Sequence, residues 1–74
     1  VEQIEVTEFL RGQTLRQLDL RATAGLNVMG IRKNTPEGIK RISPDPSRKM
    51  SLGEVLIVMG EQKDLESFKK AIAG

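Results

Sequence analysis

No cysteine, histidine, tryptophan or tyrosine occurs anywhere in the 74 residues, and the only aromatics are Phe9 and Phe68. The first two absences exclude a disulfide framework and a Cys/His structural metal site. They also remove the usual nucleophile and base pairs: Ser43, Ser47, Ser51 and Ser67 are present, but none has a histidine or other base nearby in sequence to activate it. Asp45 and Glu54 form a conceivable carboxylate pair, yet both stand in polar loop context and read as ordinary surface acids. The chain is therefore not expected to be an enzyme. Gly53-Glu54 before a strand reads as turn chemistry and the oxygen donors for calcium are not clustered, so no metal or cofactor is expected. Two aromatics supply no stacking platform for extended nucleic acid, and no direct DNA contact is expected. No apolar run approaches the ~20 residues needed to cross a bilayer, so this segment is not expected to insert in a membrane. The first ten residues carry Glu2, Glu5 and Glu8 without a basic start or an apolar core, which does not fit a secretory signal and suits the cytoplasm.

Length sets the next limit. A chain this short buries only about 60% of the surface its unfolded form exposes, so residues 1–74 are expected to form one domain. With no disulfide or metal to staple it, the remaining support is a second copy or attachment to a longer protein. Hydrophobic residues at 38% and charged residues at 30% fit an ordinary globular chain. The formal charge of +2 is unevenly spread. Positions 11 to 49 hold nine basic residues against Asp19, Glu37 and Asp45, a net of +6, while the first ten residues total −3 and the last twenty-five −1. A basic middle favours an anionic ligand, and equally fits a solvated charged face.

The hydrophobic pattern predicts six elements. Ile4 and Val6 alternating with Glu5, Thr7 and Glu8 predict a first strand over about 2–9, broken by Arg11-Gly12-Gln13. Thr14-Leu15-Arg16-Gln17 fits a capping box, and Leu15, Leu18 and Ala22 fall on one face of the helix it starts. Gly25 stands where a left-handed cap would end that helix. Leu26 to Lys33 predicts a strand apolar on both faces, hence central or covered by a partner. After the turn residues 34–38, Ile39 to Ser43 predicts an antiparallel hairpin partner, ended by Pro44-Asp45-Pro46-Ser47. Val55 to Met59 predicts a buried strand and Gly60 closes it. Leu65, Phe68 and Ile72 mark the inner face of a last helix, with Glu61, Asp64 and Glu66 early and Lys69 and Lys70 late, as its dipole prefers. The order β-α-β-β-β-α predicts an α+β two-layer domain, a mostly antiparallel four-stranded sheet with two helices on one face. Dimerisation would cover the remaining face or edge.

The segment from Leu18 to Arg32 joins helix, glycine turn and strand, and brings Arg21 and Asn27 to the turn from its two sides. Arg21 serves either as a helix-end charge bridged to Asp19 or Asp45, or as a planar fork for a phosphate or carboxylate. In the second case the Asn27 amide would read a sugar or base edge.

The ordered set Gly12-x-Thr14-Leu15-x-x-Leu18-Asp19-Leu20-Arg21-x-x-x-Gly25-Leu26-Asn27-Val28-x-x-Ile31-Arg32, then Pro44, then Leu52-Gly53-Glu54-Val55-Leu56-Ile57-Val58-x-Gly60 and Asp64-Leu65, resembles the TrkA-C, or RCK-C, family. The likeness runs from Val6 to Ile72, with Glu54 where the family more often has Asp. It implies a ligand-sensing, dimerising regulatory domain of a potassium channel or transporter system. The parent protein would act in the cytoplasm, at the inner face of the membrane through its membrane partner. Several bacterial members bind cyclic di-AMP at a dimer interface, so the resemblance implies a small anionic nucleotide as effector. Arg21 and Asn27 match the positions for its phosphate and adenine, and Leu20, Ile42 and Pro44 would line the same pocket. Between arginine and asparagine the cyclic di-AMP binders tend to carry a bulky apolar residue, where this chain has Ala22, Thr23 and Ala24. The same domain type also serves as an effector sensor in transcription regulators and other transporters, or as a dimerisation module alone.

Overall fold

The computed structural model describes residues 1–73. Four strands, β1 (Glu2–Glu5), β2 (Asn27–Thr35), β3 (Gly38–Ile42) and β4 (Glu54–Met59), form one antiparallel sheet in the order β1-β4-β2-β3. Three helical segments accompany it: α1 (Leu15–Leu18), α2 (Leu20–Thr23) and α3 (Gln62–Ile72). The α+β two-layer reading holds, and so does the central placement of the two most apolar strands, β2 and β4.

Register explains which residues face which layer. Ile4 pairs with Leu56, Leu56 with Ile31 and Ile31 with Ile42, a row of aliphatic side chains across all four strands. Leu20 from α2 and Leu65, Phe68 and Ile72 from α3 join Ile4, Ile31, Leu56 and Val58 in one buried cluster, so the helices cover the same face. Side chains alternate along a strand, and the next row on the opposite face therefore reads Glu5, Val55, Arg32, Arg41.

Two predicted elements differ from those observed. The first strand stops at Glu5 rather than running to position 9, because its partner β4 begins at Glu54 and offers nothing further to pair with. Val6 N–H makes the last such contact, to Glu54 O at 2.9 Å, and residues 7–12 then turn, with Leu10 and Arg11 N–H both donating to Thr7 O. The helix predicted from Thr14 does start with a capping box, Gln17 N–H donating to Thr14 Oγ1 and Thr14 N–H to Gln17 Oε1. It then breaks at Asp19, whose φ of 47° is left-handed. Aspartate tolerates this conformation better than most residues. Thr23 Oγ1 donates to the carbonyls of Leu18 and Asp19 at 2.9 and 3.0 Å, tying the two sides of the break together. The break changes the phase of the helix, so Leu20 is the buried residue of the second turn and Ala22 is exposed.

Gly25 ends this region as predicted, at φ 67°. A side chain there would be strained, and its Cβ would also lie 2.8 Å from Asp64 Oδ2 at the start of α3. α3 is secured at its C-terminal end: Lys69 Nζ reaches Glu2 Oε1 at 3.0 Å, and Thr7 Oγ1 donates to Ile72 O at 2.9 Å. Among the described residues, no helix is long and apolar enough to cross a membrane.

Candidate ligand-binding groove

The broken helix and the loop before β4 form the two walls of an open groove of about 490 Å³. On the helix wall the capped first turn places Leu15 and Arg16, and the left-handed Asp19 turns the next residues so that Leu20 and Arg21 follow along it. Leu26, Val28 and Pro46 complete the apolar part of the lining, and the charged residues in it are Arg16, Asp19 and Arg21.

The loop wall is held by its own chemistry. Ser47 donates to Asp45 Oδ1 from both its backbone N–H and its hydroxyl at 2.9 Å, closing a tight turn. Those two bonds, helped by the charge of Arg16, hold the Asp45 carboxyl below its usual pKa. Arg16 N–H donates to Pro46 O at 3.0 Å and ties this wall to the helix. Deeper in, Arg48 grips Glu54 with two parallel bonds, Nη1 to Oε1 at 3.0 Å and Nη2 to Oε2 at 2.5 Å. Glu54 is only 1% exposed, and Ser51 N–H adds a third bond to its Oε1 at 3.1 Å. The Arg48 bonds are the chief reason that the Glu54 carboxyl titrates below the ordinary carboxylate range, against the opposing effect of burial. Arg48 is correspondingly raised by the same contact.

The sequence reading of Glu54 as a surface acid is therefore wrong: it is the buried anchor of the loop. A carboxylate at the edge of an apolar strand with an arginine six positions earlier was the available signal, and it carries little weight alone. Arg16 was also missed as a groove residue, since the loop that it meets at Pro46 lies thirty positions later in the chain.

The five residues singled out from the sequence do not share one cavity in the monomer. Leu20 is buried and Arg21 exposed, both in the groove. Arg21 has no salt bridge to Asp19 or Asp45, nor any side-chain hydrogen bond, among the described residues. The positive charge that acts on Asp45 is that of Arg16. Asn27 opens β2 in an exposed position opposite Met59, one residue from the groove-lining Leu26 and Val28. Ile42 and Pro44 line a separate depression of about 380 Å³ beside β2 and β3. The short residues 22–24 are accounted for in part: Thr23 secures the broken helix, while Ala24 packs against the core.

Comparison with known proteins agrees with this architecture. The family model of the TrkA-C domain matches residues 2–73. Among solved structures, the chain is similar to the regulator of conductance of K+ (RCK) C domain of the potassium transport protein KtrA, solved in complex with cyclic diadenosine monophosphate. The TM-score is 0.81 and the identity 34%, covering 96% of this chain and 80% of that one. The GsuK channel matches at a TM-score of 0.74 and 25% identity over 96% of this chain, which spans 13% of the channel's length. No curated protein matches at a significant level.

Proposed function

The chain belongs to the TrkA-C domain family, and from that membership we propose that it senses a small anionic nucleotide and transmits its binding to a potassium channel or transporter in the cytoplasm. Cyclic di-AMP is the proposed effector, held between two copies of the domain. The observation that carries this reading is Arg21: a guanidinium with no salt bridge among the described residues, lining together with Arg16 and Asp19 a groove whose other lining residues are apolar. A fork without a salt bridge beside an apolar lining suits a ligand with a phosphodiester at one end and a flat ring at the other. A two-fold symmetric ligand with two phosphodiesters fits a two-fold interface at which each protomer supplies one such arginine. The interface would also bring Asn27, Ile42 and Pro44, which the monomer keeps apart from the groove, against the same ligand. The complex of the KtrA RCK C domain with cyclic diadenosine monophosphate supports the choice of effector.

Calorimetry with cyclic di-AMP, combined with sedimentation to count copies, tests the proposal. Binding at one ligand per two chains is expected. Arg21→Ala should weaken it by about 1.5–3 kcal/mol, the scale of a charge-assisted hydrogen bond. Because Arg21 makes no intramolecular ion pair, thermal stability should shift by less than about 0.5 kcal/mol. No heat at high micromolar ligand, or an unchanged affinity in the variant, overturns the assignment.

A further inference from the structure

The sheet face turned away from the helices carries a feature that the groove does not use. β2–β3 pairing sets Arg32 directly opposite Arg41. Like charges in that relation destabilise a hairpin, and nothing nearby offsets them. Glu5 stands in the same row but beyond Val55, and neither arginine forms a salt bridge among the described residues. Arg32 is fixed by a neutral partner: its Nη2 donates to Gln3 Oε1 at 2.5 Å across β4. Its Nε is buried without any hydrogen-bond partner. Arg41 is exposed and makes no salt bridge or side-chain hydrogen bond among the described residues. Strapping the sheet together explains Arg32 but leaves Arg41 without a role.

The space beside the pair has a defined shape. Arg32, Arg41 and Ser43 line the depression of about 380 Å³ together with Gly30 and apolar residues that include Pro44 and Ile57. The register shifts between Val28 and Gly30, and a Cβ added to Gly30 would meet nothing within 4 Å, so the floor stays open there. Two guanidinium groups, which can only donate, and the Ser43 hydroxyl, which can donate, make the lining donor-rich.

We propose that Arg32 and Arg41 form a second anion site, on the opposite sheet face from Arg21, that takes a phosphoryl group bearing two negative charges. The match is one of charge and geometry. A dianionic phosphate monoester or pyrophosphate neutralises both arginines at once and has enough oxygens to accept from two forks and a hydroxyl. A single carboxylate would leave one charge of the pair unmatched. The site shares Ile42 and Pro44 with the residues proposed to meet the cyclic dinucleotide, but neither Arg21 nor Asn27, so the Arg21→Ala variant separates the two readings. A soluble phosphate and a phosphatidic acid headgroup present the same chemistry, and the experiment separates them.

Sodium pyrophosphate is titrated into the ¹⁵N-labelled chain at low salt while amide shifts are followed, with Arg41→Gln, Arg41→Lys and Arg21→Ala in parallel. Saturable shifts are expected at Gly30, Arg32, Arg41 and Ser43. Arg41→Gln should weaken the response about tenfold or more, Arg41→Lys less, and Arg21→Ala by no more than about twofold. Arg41 holds no partner in the fold, so its variants should keep the parent spectrum elsewhere. Co-sedimentation with phosphatidylcholine vesicles, with and without phosphatidic acid, forms the second arm. Binding that needs phosphatidic acid and is competed by pyrophosphate identifies a lipid headgroup; pyrophosphate binding without sedimentation identifies a soluble phosphate. Unsaturable shifts, shifts confined to Arg21 and its neighbours, or a response undiminished in Arg41→Gln overturns the site.

Discussion

Removing Arg48 should cost the fold more than removing the charge of Glu54, although the two belong to one ion pair. The asymmetry follows from burial. Glu54 is 1% exposed, whereas the Arg48 side chain is 33% exposed. Arg48→Ala strands a carboxylate in the core with Ser51 N–H as its one remaining hydrogen-bond donor, the situation that costs about 3–5 kcal/mol. Glu54→Gln instead leaves a neutral amide that keeps an oxygen for Ser51 N–H, while Arg48 turns to water; about 1–2 kcal/mol is expected. The double variant should fall near the Glu54→Gln value, since no buried charge is left behind. A chain of 74 residues has on the order of 5–10 kcal/mol in total, so Arg48→Ala alone should bring it close to unfolding at room temperature. Urea denaturation followed by circular dichroism measures all four proteins. The pH dependence supplies a second readout. The folded pKa of Glu54 lies below its unfolded value, so the stabilisation is fully present above the unfolded pKa and is lost as pH falls through the folded one. The gap between parent and Arg48→Ala should therefore narrow on acidification below about pH 4.5. Equal costs for the two single variants, or a gap that widens in acid, would refute the reasoning.

Two further outcomes concern local packing and capping. Gly60→Ala would drive a Cβ into Leu26 Cδ2 and to 3.2 Å from Gly25 O, and because Leu26 is fully buried the expected loss is about 1–3 kcal/mol, read by thermal denaturation. Thr14→Ala removes one half of the capping box and should cost about 1 kcal/mol, with amide exchange accelerated at Gln17, whose N–H loses its acceptor.

The apolar periodicity of β4 and α3 was enough to place both, because each presents a long one-sided or continuous apolar pattern that only burial satisfies. Thr14 and Gln17 announced a cap through a purely local mechanism, and that mechanism operates in the fold. What could not be read was set by partners distant in sequence. The end of β1 depends on where β4 begins, some fifty positions later, and the break at Asp19 places Leu20 inward where helical spacing favoured Ala22. Glu54 could be recognised as buried only once Arg48 was seen to fold back over it. The groove suffers from the same difficulty: Arg21 and Leu20 share it, while Ile42 and Pro44 lie beside another depression, a separation that spacing along the chain cannot reveal.

The strand order has a consequence for synthesis. β4 is last of the four in the chain yet sits between β1 and β2, so the aliphatic row that runs through Leu56 cannot close until it exists. A nascent chain that has emerged only through residue 50 holds a lone hairpin whose facing positions pair Arg32 with Arg41 and Lys33 with Lys40. Such a hairpin is a poor nucleus, because two of its five cross-strand pairs set like charges opposite each other and an isolated hairpin is marginal in water. The ribosome must deliver nearly the whole domain before folding can begin, and the step is then dominated by contacts distant in sequence, the kind that forms slowly. During that interval β1 waits unpaired, and its glutamates Glu2 and Glu5 keep the exposed strand in water rather than against a neighbouring nascent chain.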